Sequence, residues 1–282
     1  HHEKRAWCSS KSWRVDRTDP RSCQCGDFVY IRDPDEPEKG EGDMNDKVKQ
    51  LKEIVDNTDN LVFFGGAGVS TESGIPDFRS TAGLYNMKYK YPPETIVSHT
   101  FFVRRTEEFF EFYKDKMMVL DAKPNKAHYK LAQWEKEGKC RAVVTQNIDG
   151  LHQMAGSKNV LELHGSIHRN YCTKCGKFFD ASYVKNSEGV PYCDACGGLV
   201  KPDVVLYEES LDSKTISDAV YAISHADVLI IGGTSLAVYP AAGMIDYFRG
   251  SHLVLINRSS TPRDNQADLV INDSIGEVFG QL

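Results

Sequence analysis

The chain has 282 residues, 40% hydrophobic and 26% charged, the make-up of a globular protein with room for one large domain or two smaller ones. A net charge of −6 excludes a general attraction to nucleic acid or to anionic lipid. No apolar run approaches the roughly 20 residues that span a bilayer, and the polar N-terminus has no signal-peptide core, so a cytoplasmic location is expected.

Residues 1–43 read as an arm or linker rich in Arg, Asp, Pro and Glu, beginning with a tag-like His1-His2. Cys8, Cys23 and Cys25 lie there without metal spacing, and Phe28–Ile31 is a short strand-like run without an assigned role. From residue 44 the pattern becomes regular. Val48, Leu51, Ile54 and Val55 have helical spacing, and Leu61–Phe64 suits a buried strand. A glycine turn follows, and a helix after it is expected to point its positive end at the same spot. Phe101–Met118 and Asn125–Glu137 are helix candidates, the second stopped by Gly138. Short apolar strands are expected at 141–145, 160–163, 204–206, 228–231, 253–256 and 269–271, with helical stretches at 211–224 and 240–248 between them. Such alternation predicts an α/β chain with a doubly wound, mostly parallel sheet covered on both faces.

Ligands of such sheets bind beyond the carboxyl ends of the strands. The residues there are Gly65–Arg79, Gln146–Asp149, His164-Gly165, Gly232–Ser235 and Asn257-Arg258, nearly all polar or glycine. The first turn lets backbone N–H groups approach a phosphate, and Arg79 offers a donor fork to its oxygens, so a nucleotide diphosphate is the first expectation. Gly66-x-Gly68-x-x-Thr71 lacks the third glycine of a dehydrogenase turn, and no acidic strand tip follows about 20 residues on. Taken singly, Asn147–Gly150 also reads as an Asx turn, Gly232–Ser235 as a plain turn, and Asn257 as a loop cap. His164 is either a general base near neutral pH or a hydrogen-bonded structural residue.

Cys172-x-x-Cys175 and Cys193-x-x-Cys196, seventeen residues apart, match a four-thiolate zinc pattern. Such a shell has no open position, so the metal is structural. A disulfide pairing is the alternative, with no secretion signal behind it.

Gly66–Ser70, Gly74–Arg79, Thr145–Asp149, Leu163–Gly165, the two cysteine pairs, Lys201–Val205 and Gly232–Leu236 together resemble the sirtuins, NAD-dependent protein-lysine deacylases, from about Val48 to the C-terminus. The resemblance implies a Rossmann-like large domain (44–83, 124–165 and 202–282) and a smaller zinc-ribbon and helical domain (84–123 and 166–201). The cofactors implied are NAD and one structural zinc ion. Gly66, Ala67, Gly68, Arg79, Gly233, Thr234 and Ser235 would hold the pyrophosphate and the adjoining sugar, and Asn257 the adenosine side. Gln146 would meet the nicotinamide ribose. Asp77, Asn147, Ile148 and Asp149 would line the nicotinamide pocket with Ile75, and Phe78 would shield the reacting carbon from water. His164 would be the general base and Asn147 a second catalytic residue. Val204, Val205, Leu206 and Tyr207 would pair with the acylated protein substrate. The acyl group would pass from lysine to ADP-ribose, with release of nicotinamide.

Two departures from the family stand out. Glu208 replaces a glycine common after the substrate strand, so its side chain and charge are expected to alter peptide preference, and Glu208→Gly to change peptide KM more than kcat. The Tyr-x-x-Arg of desuccinylating members is here Tyr113-x-x-Lys116, which supplies a point charge without a bidentate fork. Deacetylation is therefore expected ahead of desuccinylation. ADP-ribosyl transfer shares the first bond cleavage, and a zinc-ribbon nucleic-acid binder is disfavoured by the negative charge. Protein partners beyond an acylated lysine are not specified.

Overall fold

The computed structural model describes residues 41–77 and 89–282. The helices among them are α1 (Glu41–Asp56), α2 (Pro93–Ile96), α3 (His99–Arg104), α4 (Thr106–Phe112), α5 (Lys126–Lys136), α6 (Leu151–Ala155), α7 (Ala181–Asn186), α8 (Ser213–His225) and α9 (Ile275–Phe279). The strands are β1 (Leu61–Gly65), β2 (Cys140–Thr145), β3 (Val160–Glu162), β4 (Gly165–Cys172), β5 (Phe178–Phe179), β6 (Val200–Val204), β7 (Val228–Gly232), β8 (His252–Ile256) and β9 (Leu269–Ile271). None of the described helices is long and apolar enough to cross a membrane.

Six strands form one sheet in the order β3-β2-β1-β7-β8-β9, every pair parallel. Counted within the sheet this is the 3-2-1-4-5-6 order of the Rossmann fold, and the order reverses between β1 and β7. Both faces are buried, so the strands are apolar throughout rather than alternating. Leu61 and Phe63 of β1 face a cluster with Val55, Leu131, Trp134 and Phe279. Val62 and Phe64 face the other way, onto Ala219, Ile223 and Met244. This period of two follows from the pleat.

A second sheet, β5-β4-β6, is antiparallel. It shares a third buried cluster with α2–α4, built from Phe101, Phe102, Phe109, Phe112, Val184 and Val200 among others. The strand expected at 204–206 is corrected here. It runs Val200–Val204 and pairs with β4 in this sheet, outside the parallel one.

The helix expected over Phe101–Met118 is broken at Arg105 (φ −138°, ψ 53°) and closes in a π turn, Tyr113–Met117. The Thr106 hydroxyl donates to the Phe102 carbonyl at 2.7 Å and takes the acceptor that a continuing helix would use. Phe102, Phe109, Phe110 and Tyr113 then pack across the break, edge to face except for the stacked Phe109–Tyr113 pair. The helix expected after the glycine turn is also corrected. Two three-residue 3-10 turns, Ala67–Val69 and Thr71–Ser73, stand there, too short to sum a useful dipole. α1 begins at Glu41, slightly before the boundary expected at residue 43.

Candidate active site

The loops after β1 and β7 meet at the point where the strand order reverses. Gly68 N donates to Gly233 O at 2.8 Å, and Gly66 N to Gly232 O at 3.3 Å. A Cβ on Gly68 would lie 2.7 Å from the Cα of Gly233. Gly233 itself is left-handed, at φ 62°. The glycines thus bring two backbones into contact, which any larger residue would prevent.

From this contact a hydrogen-bond chain runs through the neighbouring strand tips. Gln146 N donates to Gly65 O at 2.9 Å. The Thr234 hydroxyl donates to Gln146 Oε1 at 3.2 Å, and Thr234 N to Asn257 Oδ1 at 2.9 Å. His164 Nδ1 lies 2.9 Å from the Gln146 carbonyl, and since a carbonyl only accepts, Nδ1 carries the hydrogen. That tautomer leaves Nε2 as a proton acceptor. Burial lowers the pKa of His164 below its ordinary value, and the bond to Gln146 opposes the shift. The neutral base form therefore prevails at physiological pH.

A second network lies alongside. The Ser70 hydroxyl donates to Asp149 Oδ2 at 2.6 Å and accepts from Asn147 Nδ2 at 3.2 Å. His168 Nε2 donates to Asp149 O at 2.9 Å. His128 Nδ1 accepts from Asn125 N at 3.0 Å in a capping box of α5, and its Nε2 stands 3.5 Å from Ser70 Oγ. His152 packs against His128 with ring centroids 4.8 Å apart, and both its nitrogens lack protein partners. Desolvation lowers the pKa of both rings, that of His152 to about 3.

The structure therefore gathers Gly66, Ala67, Gly68, Gln146, Asn147, Asp149, His164, Gly233, Thr234 and Asn257 at one edge of the sheet. Ile148 borders the second sheet, its carbonyl accepting from Ile167 N at 3.0 Å. Ser235 is exposed and Asp77 half-buried. Phe78 and Arg79 lie outside the described residues. Val204 is buried at the end of β6, and Val205 N donates to His164 O at 3.0 Å, which seats residues 204–207 beside the imidazole. Tyr113 and Lys116 are not brought together. Tyr113 is wholly buried with an unpartnered hydroxyl, whereas Lys116 pairs with Asp115 at 3.2 Å. Ser70, His128 and His152 were not assigned by sequence reasoning, because their partners come from three separate segments. The only signal was Ser70 next to the glycines. Cavities of about 470 and 780 Å³ lie elsewhere and touch none of the strand-tip residues.

Two buried amide donors of the site, Gln146 Nε2 and Asn257 Nδ2, have no protein partner. Buried donors are almost always bonded, so both fit a ligand rich in acceptors, as a dinucleotide is. The four cysteine sulfurs lie within 4.8 Å of one another, with Cys172 and Cys196 3.4 Å and Cys175 and Cys193 3.6 Å apart. Backbone N–H groups of Lys174 and Cys175 each donate to the Cys172 sulfur at 3.4 Å. A tetrahedral zinc with bonds of about 2.3 Å fits this cluster, and N–H···S bonds support thiolates there. The cluster suits one structural zinc ion.

Comparison with known proteins agrees with this geometry. The model of the Sir2 family matches residues 66–240. An NAD-dependent protein deacetylase of Clostridium acetobutylicum is 66% identical over 237 residues, covering 83% of this chain and 97% of that protein. One of Clostridium perfringens is 64% identical over 242 residues, covering 85% of this chain and 99% of that protein. A solved structure of Sir2 with a p53 peptide and NAD+ superposes with a TM-score of 0.75 at 39% identity, covering 83% of this chain and 96% of that one.

Proposed function

The chain belongs to the Sir2 family and is an NAD-dependent protein-lysine deacetylase, and we propose how its own residues divide that work. The observation that carries the division is Gln146. One residue touches the glycine turn, Thr234 and His164 through its N–H, side-chain oxygen and carbonyl.

When bound, NAD supplies an electrophilic ribose carbon and a nicotinamide leaving group. Gly66, Ala67, Gly68, Gly233, Thr234 and Ser235 hold the pyrophosphate side, where glycines without a Cβ let a ligand approach the backbone closely. Asn257 and Gln146 present their free amide donors to the two sugars. Asp77, Phe78 and Arg79 complete the enclosure. Asn147, Ile148 and Asp149 line the nicotinamide side, and Ser70 fixes the Asn147 amide and the Asp149 carboxylate relative to each other. His164 is the general base. Its Nδ1–H is held by Gln146, so Nε2 is left to accept a proton and would take it from a ribose hydroxyl of the bound dinucleotide. Asn147 is the second catalytic residue, presenting a polar amide at the reacting sugar. Val204–Tyr207 border the acylated peptide, an extended segment against which its backbone can lie. The zinc ion holds the second sheet in shape and takes no part in the reaction.

The division of the core into a large part (44–83, 124–165 and 202–282) and a small part (84–123 and 166–201) is supported by the separate buried clusters of the two sheets. Tyr113 and Lys116 belong to the small part. A lysine in place of a bidentate arginine fork favours acetyl over succinyl groups. We place the enzyme in the cytoplasm.

Mass spectrometry of acetyl-, propionyl- and succinyl-lysine peptides with NAD tests this reading. It requires acetyl removal, with nicotinamide released only when the acylated peptide is present. Nicotinamide release independent of peptide supports NAD hydrolysis instead.

A further inference from the structure

Residues 204–209 are fastened to the helical part more firmly than a strand end requires. Tyr207 N donates to Val97 O at 3.0 Å, and Tyr207 O accepts from His99 N at 2.9 Å. Glu209 closes the turn, accepting from Leu206 N at 3.0 Å and pairing with His99 Nδ1 at 2.9 Å and Lys201 Nζ at 3.3 Å.

Between them stands Glu208 at φ 75°. The left-handed region is unfavourable for any residue with a Cβ, and glycine is its ordinary occupant. The side chain accounts for a glutamate there. Its Oε2 accepts from Thr100 N at 2.8 Å, in the first turn of α3. The Ser98 hydroxyl takes the next N–H, that of Phe101, at 3.2 Å. With His99 N held by Tyr207 O, Glu208 and Ser98 take the next two N–H groups at the start of α3, one from across the fold and one from the helix's own segment. His99 and Arg104 add positive charge beside the carboxylate, and the bond to Thr100 leads the causes that hold its pKa below the ordinary glutamate value. One oxygen of this carboxylate is thus committed to the fold.

We propose that Glu208 is a positioning residue for the substrate: by capping α3 across the fold, its carboxylate holds residues 204–207 in the place where the acylated peptide docks. The proposal rests on the reading of Val204–Tyr207 as the peptide-pairing segment.

The test uses the full chain with Glu208→Gln, Glu208→Ala and Glu208→Gly. Each is assayed on one acetylated peptide with neutral neighbours and one with Lys and Arg neighbours. Losing a cap raises peptide KM about fivefold for the Ala and Gly variants on both peptides. For both variants kcat and the KM for NAD stay within about twofold, since neither depends on the tether. Gln keeps an acceptor oxygen and stays near wild type. The Gly variant holds its melting temperature within about 2 °C, because relief of the left-handed backbone offsets the lost cap. A weakened KM at unchanged stability is not what a merely structural residue produces.

Unchanged KM in both the Ala and Gly variants overturns the proposal. So does a loss confined to the basic peptide and shared by Gln, which assigns direct charge recognition to Glu208. Wild-type turnover is measured first. If the wild type removes no acetyl group, the deacetylase reading falls and takes this proposal with it. If the wild type turns over and Glu208→Ala matches it, the proposal alone falls.

Discussion

Gly233→Ala separates two effects that glycines at a site usually confound, backbone handedness and space. A Cβ there would sit 2.7 Å from the carbonyl carbon of Gly68 and closer still to the nitrogen of Val69, both backbone atoms that no rotamer change can move. The left-handed backbone alone costs an alanine roughly 1–2 kcal/mol. Overpacking adds roughly 1–3 kcal/mol, for a total of about 2–5 kcal/mol. At roughly 2–4 °C per kcal/mol for a chain of this size, the melting temperature falls by about 10 °C. Gly74→Ala is the control. Gly74 is also left-handed, at φ 84°, but nothing lies within 4 Å of its added Cβ. Its loss is confined to the handedness term, about 3–5 °C. Parting the two loops also raises the KM for NAD in Gly233→Ala by about tenfold or more, because a small misplacement of binding groups is costly. Thermal unfolding and NAD titration of the two variants check this. Equal melting shifts for both would refute the argument that loop contact, rather than handedness, makes Gly233 necessary.

The remaining predictions concern protons and metal. With His164 as the proposed base and its pKa lowered by burial, kcat/KM is expected to stay level through neutral pH, its acid limb lying below pH 6.5. A limb centred above 6.5 contradicts that environment. His128 and His152 have folded pKa values below their unfolded ones, so the unfolded chain binds more protons as pH falls. Stability is therefore full above about pH 6.5 and declines below it, between pH 6.5 and 5 before most carboxylates titrate. His152→Leu flattens that slope in pH-dependent melting curves, and an unchanged slope rules the histidine pair out as its source. Metal analysis gives one zinc per chain, and its removal by a chelator lowers the melting temperature by several degrees, since zinc binding contributes folding free energy. Unchanged melting after complete removal refutes the structural role.

The parallel sheet was legible because both of its faces are buried. Its strands are short, mostly apolar runs that end in glycine or polar residues, and their tips named in advance most of the residues that the structure gathers at one edge of the sheet. The cysteine spacing was legible for a similar reason, since two local turns set it. What the sequence hid depends on distant pairing. The apolar run 204–206 is short enough to suit either sheet, and only the register of Val200–Val204 with β4 ends the strand at Val204. The break at Arg105 lies inside an aromatic stretch whose spacing suits a continuous helix, and ring packing decides against it. Ser70 lies in the glycine turn, His128 in α5 and His152 in α6, so no local pattern marks their meeting. Glu208 was visible as a departure from a common glycine, but its left-handed backbone and its bond to Thr100 were not.

The most direct measurement compares the wild type with His164→Ala, with an acetylated peptide and NAD at saturation and mass spectrometry of both the peptide and sugar products. A parallel calorimetric titration with NAD measures binding. With the imidazole held at Nδ1 by Gln146 as the proposed base, the variant is expected to bind NAD as tightly as the wild type but to form the acetylated sugar at least about a hundredfold more slowly. Product formation by the variant at a rate comparable to the wild type would contradict the account.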